Sequence, residues 1–129
     1  MTLEESIKLL ALIKLAYPTS YRDIDKETKL ATVNMWQRNF GGVHFSIMEM
    51  ALDHFVKKSK FPPTIAEMCD ELKSIYYEAM QNVMCLEDGE KRNLNKYIMQ
   101  QTECFIKRND KKITYTKNLL NGSQPLIEG

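Results

Sequence analysis

The stretch Thr64-Ile65-Ala66-Glu67-Met68-Cys69-Asp70-Glu71-Leu72-Lys73-Ser74-Ile75-Tyr76-Tyr77-Glu78-Ala79-Met80-Gln81-Asn82-Val83 decides the fold class. It opens as a capping box. The Thr64 hydroxyl can accept from the backbone N–H of Glu67, and the Glu67 carboxylate can reach back to the N–H of Thr64, so each satisfies a donor that the first helical turn leaves free. Ile65, Met68, Cys69, Leu72, Ile75, Tyr76, Ala79, Met80 and Val83 then recur at the helical period for about five turns. The reading is one long amphipathic helix that ends around Leu86-Glu87-Asp88-Gly89.

Upstream, Phe61-Pro62-Pro63 is a stiff extended connector, because each proline ring restricts the residue before it, and it sets the angle between two helices. The helix before it shows Ser46 as cap, Glu49 three residues on, and Phe45 with Met50 as a hydrophobic staple. Its inward face reads Ile47, Ala51 and either His54 or Phe55, and it ends in Lys57-Lys58-Ser59-Lys60, where positive charge suits the helix dipole. A helix from about Asp25 to Phe40 places Leu30, Val33, Trp36 or Gln37, and Phe40 on one face, with Gly41-Gly42 ending it. The first helix opens on Thr2 with Glu5 three residues later. Leu3, Ile7, Leu10, Ala11 and Lys14 follow the period, Leu9, Leu12 and Ile13 widen the stripe, and Tyr17-Pro18 stops it.

Downstream, a helix over roughly 90–108 carries Leu94, Tyr97, Ile98, Gln101 and Phe105 at the same period. Beyond Asn109 the pattern fails. Lys111 to Lys117 alternates like a strand without a partner, and Asn121-Gly122-Ser123-Gln124-Pro125 is linker-like. The expected architecture is all-α: a helical domain over 1–85, an additional helix over 86–108 and a flexible partner-binding tail over 109–129.

A chain of 129 residues supports one modest core. Its hydrophobic fraction of 43%, charged fraction of 27% and mean hydropathy of -0.41 describe an ordinary globular protein. No apolar run approaches the ~18 residues of a spanning helix, and the start Met1-Thr2-Leu3-Glu4-Glu5 is acidic where a signal peptide would be basic, so a cytoplasmic protein is expected. Cys69, Cys85 and Cys104 form no CxxC pair, which argues against a disulfide framework or a zinc site. The net charge of +1 divides unevenly, with +2 over 1–63, -6 over 64–90 and +5 over 91–129.

The residue types that carry catalysis do not assemble into a known pattern. No GxxxxGK[ST] or GxGxxG loop is present to wrap phosphate. His44 and His54 lie ten apart without HExxH spacing. Glu67, Asp70 and Glu71 read as a solvated helix face, and Ser46 and Thr64 as caps. The expectation is a protein with neither enzymatic activity nor a cofactor. Lys57, Lys58 and Lys60 beside Phe61, and Lys107, Arg108, Lys111 and Lys112 near Tyr115, suit phosphate contact and base stacking. Yet a pI near 7.7 is far from that of a dedicated nucleic-acid binder and argues against direct binding.

Three segments then occur in order: Ala16-Tyr17-Pro18 with Tyr21, Ala31-Thr32-Val33-Asn34-Met35-Trp36 with Phe40, and Phe61-Pro62-Pro63-Thr64-Ile65-Ala66-Glu67. Together they resemble the phage replicative-helicase loader/inhibitor family, over about residues 3–72. The resemblance implies a helical N-terminal domain with a mobile C-terminal part, and no nucleotidase activity. It also implies two partners, a DnaB-type helicase held inactive and the origin-bound replisome organiser to which the helicase is delivered.

The motif residues Tyr17, Trp36, Phe40 and Phe61 read as core anchors, since burying each contributes about 1.5–3 kcal/mol. Partner contact is expected in the tail, where Ile113, Tyr115, Leu119, Leu120, Leu126 and Ile127 cannot all join a small core and Lys111, Lys112 and Lys117 add charge. The acidic side of the fourth helix, Glu67, Asp70, Glu71 and Glu78, is a second surface, read first as solvated. Met68, Leu72, Ile75, Tyr76 and Val83, if left exposed, require a partner such as another copy of the chain.

Overall fold

In the computed structural model the described residues are 1–20 and 24–109, without the side chains of 107–109. They form α1 (Leu3–Ala16), α2 (Lys26–Phe40), α3 (Phe45–Val56), α4 (Ile65–Cys85) and α5 (Glu90–Asn109), with no strand among them. The polar residues that start these helices do so as their chemistry dictates. Both capping boxes close: the Thr2 hydroxyl accepts from the N–H of Glu5 at 3.1 Å and the Glu5 carboxylate from that of Thr2 at 2.9 Å. Thr64 and Glu67 repeat the pair at 3.1 and 3.0 Å. The Asp25 carboxylate caps α2 through the N–H of Thr28 at 2.7 Å. These bonds hold the Glu5 and Asp25 carboxyls below their ordinary values, chiefly through the backbone of Thr2 for Glu5 and the side chain of Thr28 for Asp25.

At α3 the cap is His44 and not Ser46. The His44 carbonyl already accepts from the N–H groups of Ile47 and Met48, at 3.0 and 3.2 Å, and its Nδ1 accepts from the N–H of Ser46 at 3.2 Å. The helix therefore begins at Phe45, and the Ser46 hydroxyl sits 2.8 Å from the His44 ring inside the first turn.

All five helices contribute to one core. Leu9 and Ile13 of α1, Phe40 of α2, Ile47, Met48 and Phe55 of α3, Met68, Leu72 and Ile75 of α4, and Ile98 and Phe105 of α5 are buried in it. Phe40 is 0% exposed and links two parts of the chain: its ring centroid lies 5.4 Å from that of Trp36 and 5.8 Å from that of Phe105. The turn between α2 and α3 is fastened to α5 through the N–H of His44, which donates to the Gln101 side chain at 2.9 Å. The amino group of Met1 donates to the carbonyls of Gly41 and Val43 in the same turn. Met68, Leu72, Ile75 and Tyr76 are buried within the chain, so the α4 stripe has no need of a second copy to cover it.

Helices α4 and α5 form an antiparallel hairpin. Near its turn it is held by polar contacts: Asn82 donates to Asn95 at 3.1 Å, and Arg92 donates to the carbonyl of Val83 at 3.0 Å while pairing with Asp88 at 2.5 Å.

Two helices are rotated from the phase that their apolar residues predict. α1 buries Ser6, Leu9, Leu10 and Ile13 and leaves Leu3, Ile7 and Ala11 outward. α5 buries Ile98, Thr102, Phe105 and Ile106 and leaves Leu94 and Tyr97 outward. In each case a hydroxyl residue goes inside because the preceding turn satisfies it: Ser6 donates to the carbonyl of Thr2 at 3.1 Å and Thr102 to that of Ile98 at 2.8 Å.

The connector departs from expectation at one residue. Tyr17 is buried, with its hydroxyl donating to the carbonyl of Ser59 at 2.9 Å, and burial, then the charge of Glu67, pushes its pKa up. Trp36 and Phe40 are core residues as expected, whereas Phe61 is 76% exposed. The Ser59 hydroxyl bonds to both the carbonyl and the N–H of Phe61, at 3.1 and 3.3 Å, in a tight turn that leaves the ring outside while Pro63 packs inward.

Candidate partner-binding surfaces

The tail residues expected to meet a partner, Lys111, Lys112, Ile113, Tyr115, Lys117, Leu119, Leu120, Leu126 and Ile127, lie outside the described residues, as does Tyr21. The structure bears instead on the other surfaces.

The acidic side of α4 does not act as one face. Glu67 is committed to the capping box, and Glu71 is turned inward, its side chain 6% exposed and ion-paired with the Nζ of Lys58, itself 62% exposed. Asp70 and Glu78 remain exposed. The pairing has a packing role: it fastens the end of α3 to α4 beneath the connector. It also removes Lys58 from the expected basic cluster, leaving exposed Lys57 and Lys60 beside exposed Phe61.

The histidines are accounted for by structure. His44 caps α3, with the ring of Tyr97 edge-on at 6.4 Å, and His54 is exposed. Among the described residues no cluster of His, Cys, Asp or Glu has an arrangement that could hold a metal ion. No described helix is long and apolar enough to cross a membrane.

A surface that the sequence reading did not single out lies between α1 and α2. The outward side of α1 and the exposed flank of α2 form the walls of an open groove of about 600 Å³. Ile7, Leu10, Ala11, Ile24, Leu30 and Val33 supply its apolar lining, and Lys14, Lys26, Lys29, Glu27 and Thr32 its polar edge. Ile7 is 51% and Leu30 59% exposed. The sequence carried a signal for it. Leu3, Ile7, Leu9, Leu10, Leu12, Ile13 and Leu15 cover more of α1 than one core-facing stripe needs, so some must face outward.

Residues 1–69 match the family model for the N-terminal domain of the phage SPP1 helicase loader/inhibitor. The matched segment takes in α1, α2, α3, the Pro-Pro connector and the first turn of α4. Neither a curated protein nor a solved structure matches the chain.

Proposed function

Since the chain belongs to this phage helicase-loader family, we propose that it binds a DnaB-type replicative helicase, holds it inactive and delivers it to the origin-bound replisome organiser during phage DNA replication. The family match over residues 1–69 is the observation that carries this reading. The protein acts in the cytoplasm by binding alone, without a catalytic step or cofactor of its own. The helical domain is the scaffold, and the helicase is engaged by residues 109–129, whose alternation of apolar groups and lysines suits a segment that orders on a partner.

The test is to titrate the purified protein into the phage-encoded or host DnaB-type helicase, with and without ATP, and follow the helicase's ATPase rate. Suppression that saturates with added protein, and is relieved by the organiser on origin DNA, is the expected result. A second reading, direct DNA binding, is favoured by the exposure of Phe61 beside Lys57 and Lys60. An unchanged ATPase rate together with a steeply salt-dependent DNA affinity would establish it in place of the first.

A further inference from the structure

The groove between α1 and α2 has the attributes of a docking site for a helix. It is apolar along its floor, and its polar residues stand at the edge instead of converging on one point. A small-molecule site needs a few polar groups placed to orient the ligand, which this groove lacks. A helix laid into a groove needs only a row of apolar anchors at the helical spacing. Ile7 and Ala11 on α1, and Leu30 and Val33 on α2, offer such a row on each wall.

The charge at the edge selects the occupant. Lys14, Lys26 and Lys29 stand there against Glu27, and none of the three lysines is in an ion pair with a described residue. All three are exposed, and a lysine beside an apolar groove can extend its wall with the alkyl stem while the ammonium group stays in water. Such a rim repels a basic segment, and the chain's own residues 111–117, with Lys111, Lys112 and Lys117, are basic. Opposite charge across the rim favours encounter and fixes orientation. We propose that this groove is a docking site for an acidic amphipathic helix of another protein, one with apolar residues on one face and Asp or Glu flanking them. This contact is separate from the one assigned to residues 109–129 and does not depend on it.

The test uses the full chain and a labelled helical peptide of about four turns, with Leu at the i, i+3, i+4 and i+7 positions and Glu on both flanks. A control peptide carries Lys in place of Glu. Fluorescence anisotropy should show the Glu-flanked peptide binding, with the Lys-flanked one weaker by about tenfold or more at low salt. Leu30→Glu should weaken binding by about tenfold or more, the loss expected of a buried anchor. Because Leu30 is exposed, that variant should keep the helical circular dichroism of the parent, and Ile7→Glu on the opposite wall should reproduce it. The paired reversal Lys26→Glu with Lys29→Glu should transfer the preference to the Lys-flanked peptide.

Equal binding of the two peptides, binding of neither, or indifference to Leu30→Glu would overturn the proposal. So would binding that appears only after residues 110–129 are removed, since the occupant would then be the chain itself. A dimer in sedimentation that Leu30→Glu dissociates would overturn it too, in favour of a second copy.

Discussion

The region formed by α1, α2 and α3 and the hairpin formed by α4 and α5 are stabilised in different ways. The first is packed mainly through apolar side chains, with the Met1 amino group fastened to the turn between α2 and α3, and it leaves a groove of about 600 Å³ uncovered. The second changes character along its length. Where Met68, Leu72, Ile75, Ile98 and Phe105 are buried it belongs to the shared core, and near its turn Asn82, Asn95, Arg92 and Asp88 hold it by hydrogen bonds and an ion pair. The family match ends at residue 69, early in α4, while the core does not stop there. Phe40, within the matched segment, packs against Phe105, which lies outside it.

The largest way to break this comparison is at the junction. Phe40→Ala should lower stability by about 3–5 kcal/mol, as large aromatic deletions in cores do, a large fraction of the ~5–15 kcal/mol a domain possesses. Phe105→Ala should cost a similar amount from the hairpin side. Because the two rings touch, urea denaturation of the double variant should show less loss than the sum of the singles. Additive losses would mean that the two regions are independent.

Smaller is the effect at the edge of the junction. Lys58→Met leaves the inward carboxylate of Glu71 without its partner and should cost about 1–3 kcal/mol, whereas Glu71→Gln, which removes the charge itself, should cost less. The reverse order, measured by thermal unfolding, would deny that Glu71 is held in by Lys58. Tyr17→Phe, losing the bond to the Ser59 carbonyl, should cost about 0.5–1.5 kcal/mol.

At the polar end of the hairpin, Asn82→Ala should leave global stability nearly unchanged. Native-state hydrogen exchange should find amides around 82–95 opening at lower free energy than those around Leu72 and Phe105. Smallest is the acid response of the caps. The Glu5 and Asp25 carboxyls are held below their ordinary values in the folded chain, so what they contribute is present above those values and is lost as pH falls through the lower, folded-state ones. Carboxyl titration by NMR should place both below the ordinary values for Glu and Asp, and Thr2→Ala, which keeps the backbone N–H that chiefly lowers Glu5 and removes only the hydroxyl, should bring Glu5 only part of the way back.

Much of the fold was legible because it rests on local chemistry. The capping boxes at Thr2 and Thr64, the start of α2 near Asp25, the stops at Tyr17-Pro18 and Gly41-Gly42 and the length of α4 all follow from side chains acting within a turn of themselves. What depends on distant contacts was less so. The rotation of α1 and α5 is set by Ser6 and Thr102 going inside, which a count of apolar residues cannot foresee. Ser46 reads as the cap of α3 by residue type, yet the carbonyl of His44 already accepts from the first helical N–H groups and makes His44 the cap. Phe61 reads as an anchor by size alone, yet the Ser59 turn sends it outward. The groove follows from the packing of α1 against α2, and the inward turn of Glu71 from the approach of Lys58, neither of which is encoded within one helix.

The central claim is that this chain binds a replicative helicase and does so through residues 109–129. It is tested most directly by light scattering on size-exclusion chromatography of the DnaB-type helicase mixed with ATP and either the full chain or a chain ending at residue 108. The account predicts a stable complex with the full chain and none with the shortened one, the latter retaining its helical circular dichroism. A complex of equal stability with both would contradict the assignment of the contact to those residues. No complex with either would contradict the claim itself.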